Sequence, residues 1–152
     1  MPSPHILFPA MTLNIGPQTI CWPHRDHLNL AFGICLDWVL GRFDHRKGGH
    51  LVLHEARRIL QLAPGRVVLF PSASITHENI PIADGETRYS VTGYAAGGFW
   101  RFIRQRFMPR DDWASQFPAE AKHHESIAEE LRRWKAGCRM FKTIADLFAR
   151  WS

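Results

Sequence analysis

Up to about Ala96 the apolar residues come in short runs separated by glycine and proline. Beyond about Gly97 they recur at helical spacing among Arg, Lys and Glu. Runs that short, partly β-branched or aromatic and bounded by turn formers, predict strands. They occupy residues 11–15, 24–32, 34–40, 50–55, 58–62, 67–71, 75–80 and 88–95. Gly48-Gly49 and Pro64-Gly65 mark the clearest turns. Short strands at such near-regular spacing predict a mainly β fold, an antiparallel sandwich or a jelly-roll barrel.

The tail carries a different period. Ile127, Leu131 and Trp134 fall at i, i+4 and i+7, on one face of a helix, with Pro118 as its start signal and Gly137 as its stop. Phe141, Ile144, Leu147, Phe148 and Trp151 repeat the pattern in a last helix, and Glu129 to Arg133 is a supporting i,i+4 pair. The apolar face is expected to pack on the barrel. Residues 105–152 therefore read as a helical C-terminal extension of a β domain spanning 1–104.

Composition narrows the class. A chain of 152 residues fits one domain that buries roughly 70% of its unfolded surface. With 45% hydrophobic and 12% aromatic residues it is not a disordered chain. No apolar run approaches the ~18 residues of a membrane span. The start, Met1-Pro2-Ser3-Pro4-His5, lacks the basic and apolar regions of a signal peptide, so an intracellular protein is expected. Cys21, Cys35 and Cys138 have neither CxxC spacing nor an even count, and read as small hydrophobes in a reducing compartment.

The net charge of +5 suits an anionic partner such as nucleic acid. Arg101, Arg104, Arg106 and Arg110 have no acid between them. They fit either a solvated face or a phosphate-contacting patch.

The chemistry concentrates in His24, Asp26 and His77, with Arg88 and Ser90 downstream. Two imidazoles and one carboxylate form the open-faced ligand set of non-haem Fe(II) oxygenases. In a strand, His24 and Asp26 share a face while Arg25 points away, and His77 completes the set from a later strand. Arg88 and Ser90 likewise share a strand face. There a guanidinium fork and a hydroxyl can hold the far carboxylate of 2-oxoglutarate. The same ligands could bind zinc for hydrolysis, but no Glu stands at HExxH spacing and Arg88 would then have no task. His50 and His54 flank Val52 on the face opposite Leu51 and Leu53, and His123-His124 lie in the tail; these four read as surface or second-layer residues.

These residues sit in a recognisable series. Pro23-His24-Arg25-Asp26-His27-Leu28-Asn29-Leu30, Gly41-Arg42-Phe43-Asp44, Gly48-Gly49-His50-Leu51-Val52-Leu53, Ala63-Pro64-Gly65, Pro71-Ser72-Ala73, His77-Glu78-Asn79-Ile80-Pro81-Ile82 and Gly85-Glu86-Thr87-Arg88-Tyr89-Ser90 follow in order. The series resembles the TET/JBP family of Fe(II)/2-oxoglutarate dioxygenases, in its fungal, transposon-associated form, over roughly residues 8–104. The resemblance implies a double-stranded β-helix (jelly-roll) core with C-terminal helices. It implies oxidation of methyl groups on nucleobases, 5-methylcytosine-like, in DNA or RNA, and a nuclear location. By the same resemblance His24, Asp26 and His77 hold Fe(II), Arg88 and Ser90 hold 2-oxoglutarate, O₂ is the oxidant, and Asn29 contacts the target base. Two departures stand out: relatives carry a longer part ahead of the barrel, and Gly93 stands where the subgroup has Gln. Rival readings are an oxygenase acting on a protein or small molecule, and a catalytically silent nucleic-acid-binding module.

Overall fold

The computed structural model describes residues 7–141 and 143–149. They form two compact units, one up to Gly98 and one from Phe99.

The first unit is β. Its strands are β1 (Ala10–Asn14), β2 (Cys21–His24), β3 (Cys35–Arg42), β4 (Leu51–Leu53), β5 (Arg58–Leu60), β6 (Val67–Phe70), β7 (His77–Asn79) and β8 (Thr87–Tyr94). They make two four-stranded antiparallel sheets, ordered β1-β8-β3-β6 and β2-β7-β4-β5. The pairing β3 to β8 puts Val39 opposite Ser90 and Asp37 opposite Thr92, so these four share the inner face. In the second sheet Leu51 lies opposite Asn79 and Leu53 opposite His77.

The core joins both inner faces. Val39 and Phe70 from one sheet pack in one cluster with Leu51 and Leu53 from the other, closed by Phe43, Leu62 and Ile82 from the connections. Each such side chain contributes roughly 1.5–3 kcal/mol by burial. The expected glycine turns are present, with Gly49 and Gly65 at φ of 70° and 87°, the left-handed region where a Cβ is disfavoured. Gly93 has another use. A Cβ there would lie 3.0 Å from the Phe8 ring, so the missing side chain gives the ring its seat against the strand.

All eight expected strands are found in order, and one is displaced. Where the sequence predicts a strand over 24–32, the strand is Cys21–His24 and the chain then turns. The Asn29 N–H donates to the Asp26 carbonyl at 2.9 Å and the Gly33 N–H to the Leu30 carbonyl at 2.8 Å, closing local turns in place of a ladder.

The second unit is helical, with α1 (Gly97–Arg104, its first two residues in the β unit), α2 (Arg110–Gln116), α3 (Pro118–His124), α4 (Ile127–Cys138) and α5 (Ile144–Phe148). Pro118 does begin a helix, but a short one. Ser126 starts the next, its Oγ accepting from the Glu129 N–H at 3.3 Å. Gly137 lies inside the last turn of α4 and does not stop it.

Within the helical unit, the covered side of α4 is not the one that carries its apolar stripe. Ile127, Leu131 and Trp134 are 75%, 51% and 62% exposed, whereas Glu129 and Gly137 are buried. One contact ties α4 to the preceding helix: Arg133 donates to the His124 carbonyl at the end of α3, at 3.0 Å. Within α4, Glu129 accepts two bonds from Arg132 at 2.6 and 2.7 Å. The side chains of Ile144 and Leu147, and all of Trp151, lie outside the described residues. Among the described residues no helix is long and apolar enough to cross a membrane.

Candidate metal centre

His24 ends β2, His77 begins β7, and the two are paired across the sheet. Asp26 comes from the turn just after β2, not from the strand itself. That turn is pinned to the loop after β6, because the Asp26 N–H donates to the Ser72 carbonyl at 3.1 Å. One ligand atom from each of the three residues can be chosen so that all lie within 4.8 Å of one another. The His24 Nε2 is 3.5 Å from the Asp26 Oδ1, and the two imidazole centroids are 4.4 Å apart.

The main chain fixes which nitrogen of each ring is available. His24 Nδ1 lies 2.7 Å from the Trp22 carbonyl, and His77 Nδ1 2.9 Å from the Ile75 carbonyl. A carbonyl only accepts, so each Nδ1 carries the proton and each neutral ring keeps its Nε2 lone pair. Such an outer bond is what orients a metal-ligating histidine. Burial pushes the His77 pKa below its ordinary 6.5, against the opposing hydrogen bond to the Ile75 carbonyl, and so favours the neutral ring. Two imidazoles and a carboxylate, preoriented and close, can hold a divalent metal ion.

A second shell clamps the ligand-bearing segments. Asn29 donates from Nδ2 to the Asp26 Oδ2 at 3.1 Å and to the Ser72 Oγ at 3.3 Å. On the outer side Arg25 donates to Thr76 and Glu55, and Glu55 also accepts from the Thr76 N–H at 2.7 Å. Arg25 sits between His24 and Asp26, and Thr76 directly precedes His77. These bonds hold the Glu55 pKa down at about 2, the Thr76 hydroxyl contributing most.

All three residues line a cavity of about 670 Å³, together with Asn29, Arg88 and Ser90. Arg88 and Ser90 alternate along β8 and both face in, as their spacing predicts; Arg88 is 3% exposed. The Arg88 Nη1 donates to the Thr19 carbonyl at 3.3 Å, while its Nε has no partner among the described residues. Ser90 Oγ accepts from the Asn14 side chain at 2.9 Å, and its O–H is within reach of the Asp37 carboxylate.

Asp37 is the cavity residue that the sequence reading passed over. It lies on β3 with an oxygen 3.7 Å from the Arg88 Nη2, and its Oδ1 is buried without a hydrogen-bond partner among the described residues. Burial raises its pKa, and Arg88 pulls the other way. Asp37 shares its strand face with the buried Cys35 and Val39, but Leu36 and Trp38 make the other face apolar too, so the sequence does not say which face is inward.

Of the other described histidines, His27 lines the same cavity without joining the cluster, His54 pairs with Glu78 at 2.9 Å, and His123 and His124 belong to the helical unit. Among the described residues, this is the one His, Cys, Asp and Glu group with ligand atoms close enough to share an ion.

No family model and no curated protein matches the chain. A solved structure of NgTET1 in complex with 5mC DNA aligns with it at a TM-score of 0.46 and 23% identity. The alignment spans 51% of this chain and 28% of that one.

Proposed function

We propose that this chain is an Fe(II)/2-oxoglutarate-dependent dioxygenase that oxidises methyl groups on nucleobases in nucleic acid, 5-methylcytosine being the type of base. The observation that carries this reading is the convergence of His24, Asp26 and His77 beside a cavity that also contains the buried Arg88. A double-stranded β-helix is the fold proposed with it. In support, strands switch sheets along the chain, β1, β3, β6 and β8 in one and β2, β4, β5 and β7 in the other.

In this reading His24 and His77 present Nε2 and Asp26 a carboxylate oxygen to Fe(II). Arg88 and the Ser90 hydroxyl hold the far carboxylate of 2-oxoglutarate. Bound together, iron and 2-oxoglutarate supply an oxidant able to place an oxygen atom from O₂ into a C–H bond. The chain does the positioning. The backbone carbonyls of Trp22 and Ile75 set the imidazole planes, and the Phe70 ring edge lies against His77, centroids 4.9 Å apart. Asp37 holds the guanidinium, whose charge then faces an incoming carboxylate.

At the open side, the His24 and Asp26 side chains are 41% and 31% exposed. A base in a duplex has to leave the stack to reach them, costing a few kcal/mol. Asn29 has both its bonds on Nδ2, so its Oδ1 can accept from an exocyclic amino group. The +5 charge supports attraction to a phosphate backbone.

Mass spectrometry of methylated oligonucleotides incubated with the chain, Fe(II), 2-oxoglutarate and ascorbate tests the proposal. Hydroxymethyl products that vanish in His77→Ala are expected. Succinate formed without oligonucleotide oxidation would move the substrate to a protein or small molecule. Absence of both products would leave a silent binding module.

A further inference from the structure

The helical unit holds a cavity of its own, about 360 Å³, at the small end of the range for ligand pockets. Four guanidiniums line it: Arg101 and Arg104 from α1, Arg110 from α2 and Arg133 from α4. Two carboxylates share the wall. Glu125 is 2.6 Å from Arg110, while Glu130 makes no ion pair among the described residues. Arg133 leans on Glu129, just outside the wall, at 3.5 Å. Arg101 and Arg104 have no ion-pair partner among the described residues.

The cavity also has unpartnered buried polar atoms. Trp113, 3% exposed, has its Nε1 without a hydrogen-bond acceptor among the described residues, and the His124 Nδ1 is unpartnered too; the Arg133 Nη1 makes no hydrogen bond there and has only the Glu129 ion pair. An indole N–H and a guanidinium only donate, and buried donors are nearly always met by an acceptor. The local field is positive: burial lowers the His124 pKa, and Arg104 and Arg133 lower it further. Convergent donors, more cations than anions and a small concave wall define the ligand as a compact oxyanion.

We propose that this cavity binds a phosphate group. Arg101 and Arg104 supply the charge and the fork-shaped donors that match phosphate oxygens, and Trp113 and Arg133 supply the buried N–H groups. The inference stands apart from the metal centre and does not need the oxygenase reading. A nucleic-acid backbone and a free phosphorylated small molecule present the same group.

The test titrates the full chain with inorganic phosphate at constant ionic strength and follows the indole N–H signals by ¹⁵N-edited NMR. One indole, assigned through Trp113→Phe, is expected to move and saturate. The double variant Arg101→Gln, Arg104→Gln should raise the half-saturation point at least about tenfold with Tm unchanged, since both guanidiniums lack protein ion pairs. Arg139→Gln, exposed and outside the cavity, should leave it unaltered.

A Trp113 signal that stays still throughout the titration, or Arg139→Gln weakening binding as much as the double variant, overturns the proposal. Should the double variant fail to fold, Arg101→Lys with Arg104→Lys keeps the charge, and the wild-type titration still decides. A second arm uses a short DNA duplex. Saturation at much lower concentration, with the same residues responsible, assigns the site to backbone phosphate; affinity no better than that of inorganic phosphate assigns it to a free phosphorylated ligand.

Discussion

In the β unit Arg88 is almost wholly buried and stands 3.7 Å from Asp37, with an unpartnered atom on each side. In the helical unit Arg106, Arg110 and Arg132 lie at the surface, each within 2.8 Å of a carboxylate. The exposed pairs are well made, yet each contributes at most about 1 kcal/mol, because water and salt screen them. The buried pair is poorly made and costly to keep dry. A fold that needed only stability would place an apolar pair at Asp37 and Arg88. A charge retained there in a cavity fits a ligand of opposite sign, and that sets this pair apart from the three exposed ones.

The largest way to sharpen this contrast is Arg88→Met. It leaves Asp37 buried without its counter-charge, and a loss of about 3–5 kcal/mol in urea unfolding is expected. The double variant Arg88→Met, Asp37→Leu should recover most of it. Recovery in the double variant together with loss of 2-oxoglutarate affinity would separate the ligand role of Arg88 from any structural one. An Arg88→Met chain as stable as wild type would break the comparison.

Next in size is Asn29→Ala. Its bond to the Asp26 Oδ2 makes Asn29 an orienting group for the metal site, so Fe(II) affinity is expected to fall about 10–100-fold. Metal titration under anaerobic conditions reads this directly. A loss confined to oligonucleotide turnover, with metal affinity intact, would leave Asn29 with base contact alone.

Smallest is a difference in acid response. Glu129 has its pKa held at about 2, below its ordinary 4.5, chiefly by the Arg132 hydrogen bonds. Its stabilisation is full above 4.5 and is lost as pH falls from there toward 2. Asp37 has the opposite sign. Its pKa lies above 3.8, so the folded state takes up the proton first and its cost is relieved as pH falls through that raised value. Stability against pH should therefore lose an acid-side decline in Glu129→Gln and lose an acid-side gain in Asp37→Asn. Matching slopes in the two variants would count against the contrast.

Legibility in the sequence divides along the same line. Short β-type runs between turn formers located the β strands, and the i,i+2 spacing of Arg88 and Ser90 put both on the cavity face. His24 and Asp26 were rightly brought together for a partly wrong reason. The stretch from His24 to Phe32 is expected to be one strand, but the Asn29 N–H finds the Asp26 carbonyl instead of a ladder partner. A hydrogen bond closing over three residues has no signature in polarity alone.

Asp37 escaped notice because an acid within an apolar strand reads as one polar position on an outer face. Its inward register follows only from pairing with β8. In the tail, Ile127, Leu131 and Trp134 have the spacing of a packed face, yet Glu129 and Gly137 are the buried residues of α4. The Arg133 bond to the His124 carbonyl ties that helix to α3, and hydrophobic spacing does not reveal it.

The central claim is that three side chains from two segments hold one metal ion. Anaerobic loading with Fe(II), removal of free metal and iron analysis of wild type and His77→Ala test it most directly. About one iron per chain in the wild type and close to none in a folded His77→Ala variant is the expected result. Equal iron in both proteins, whether high or low, would contradict it.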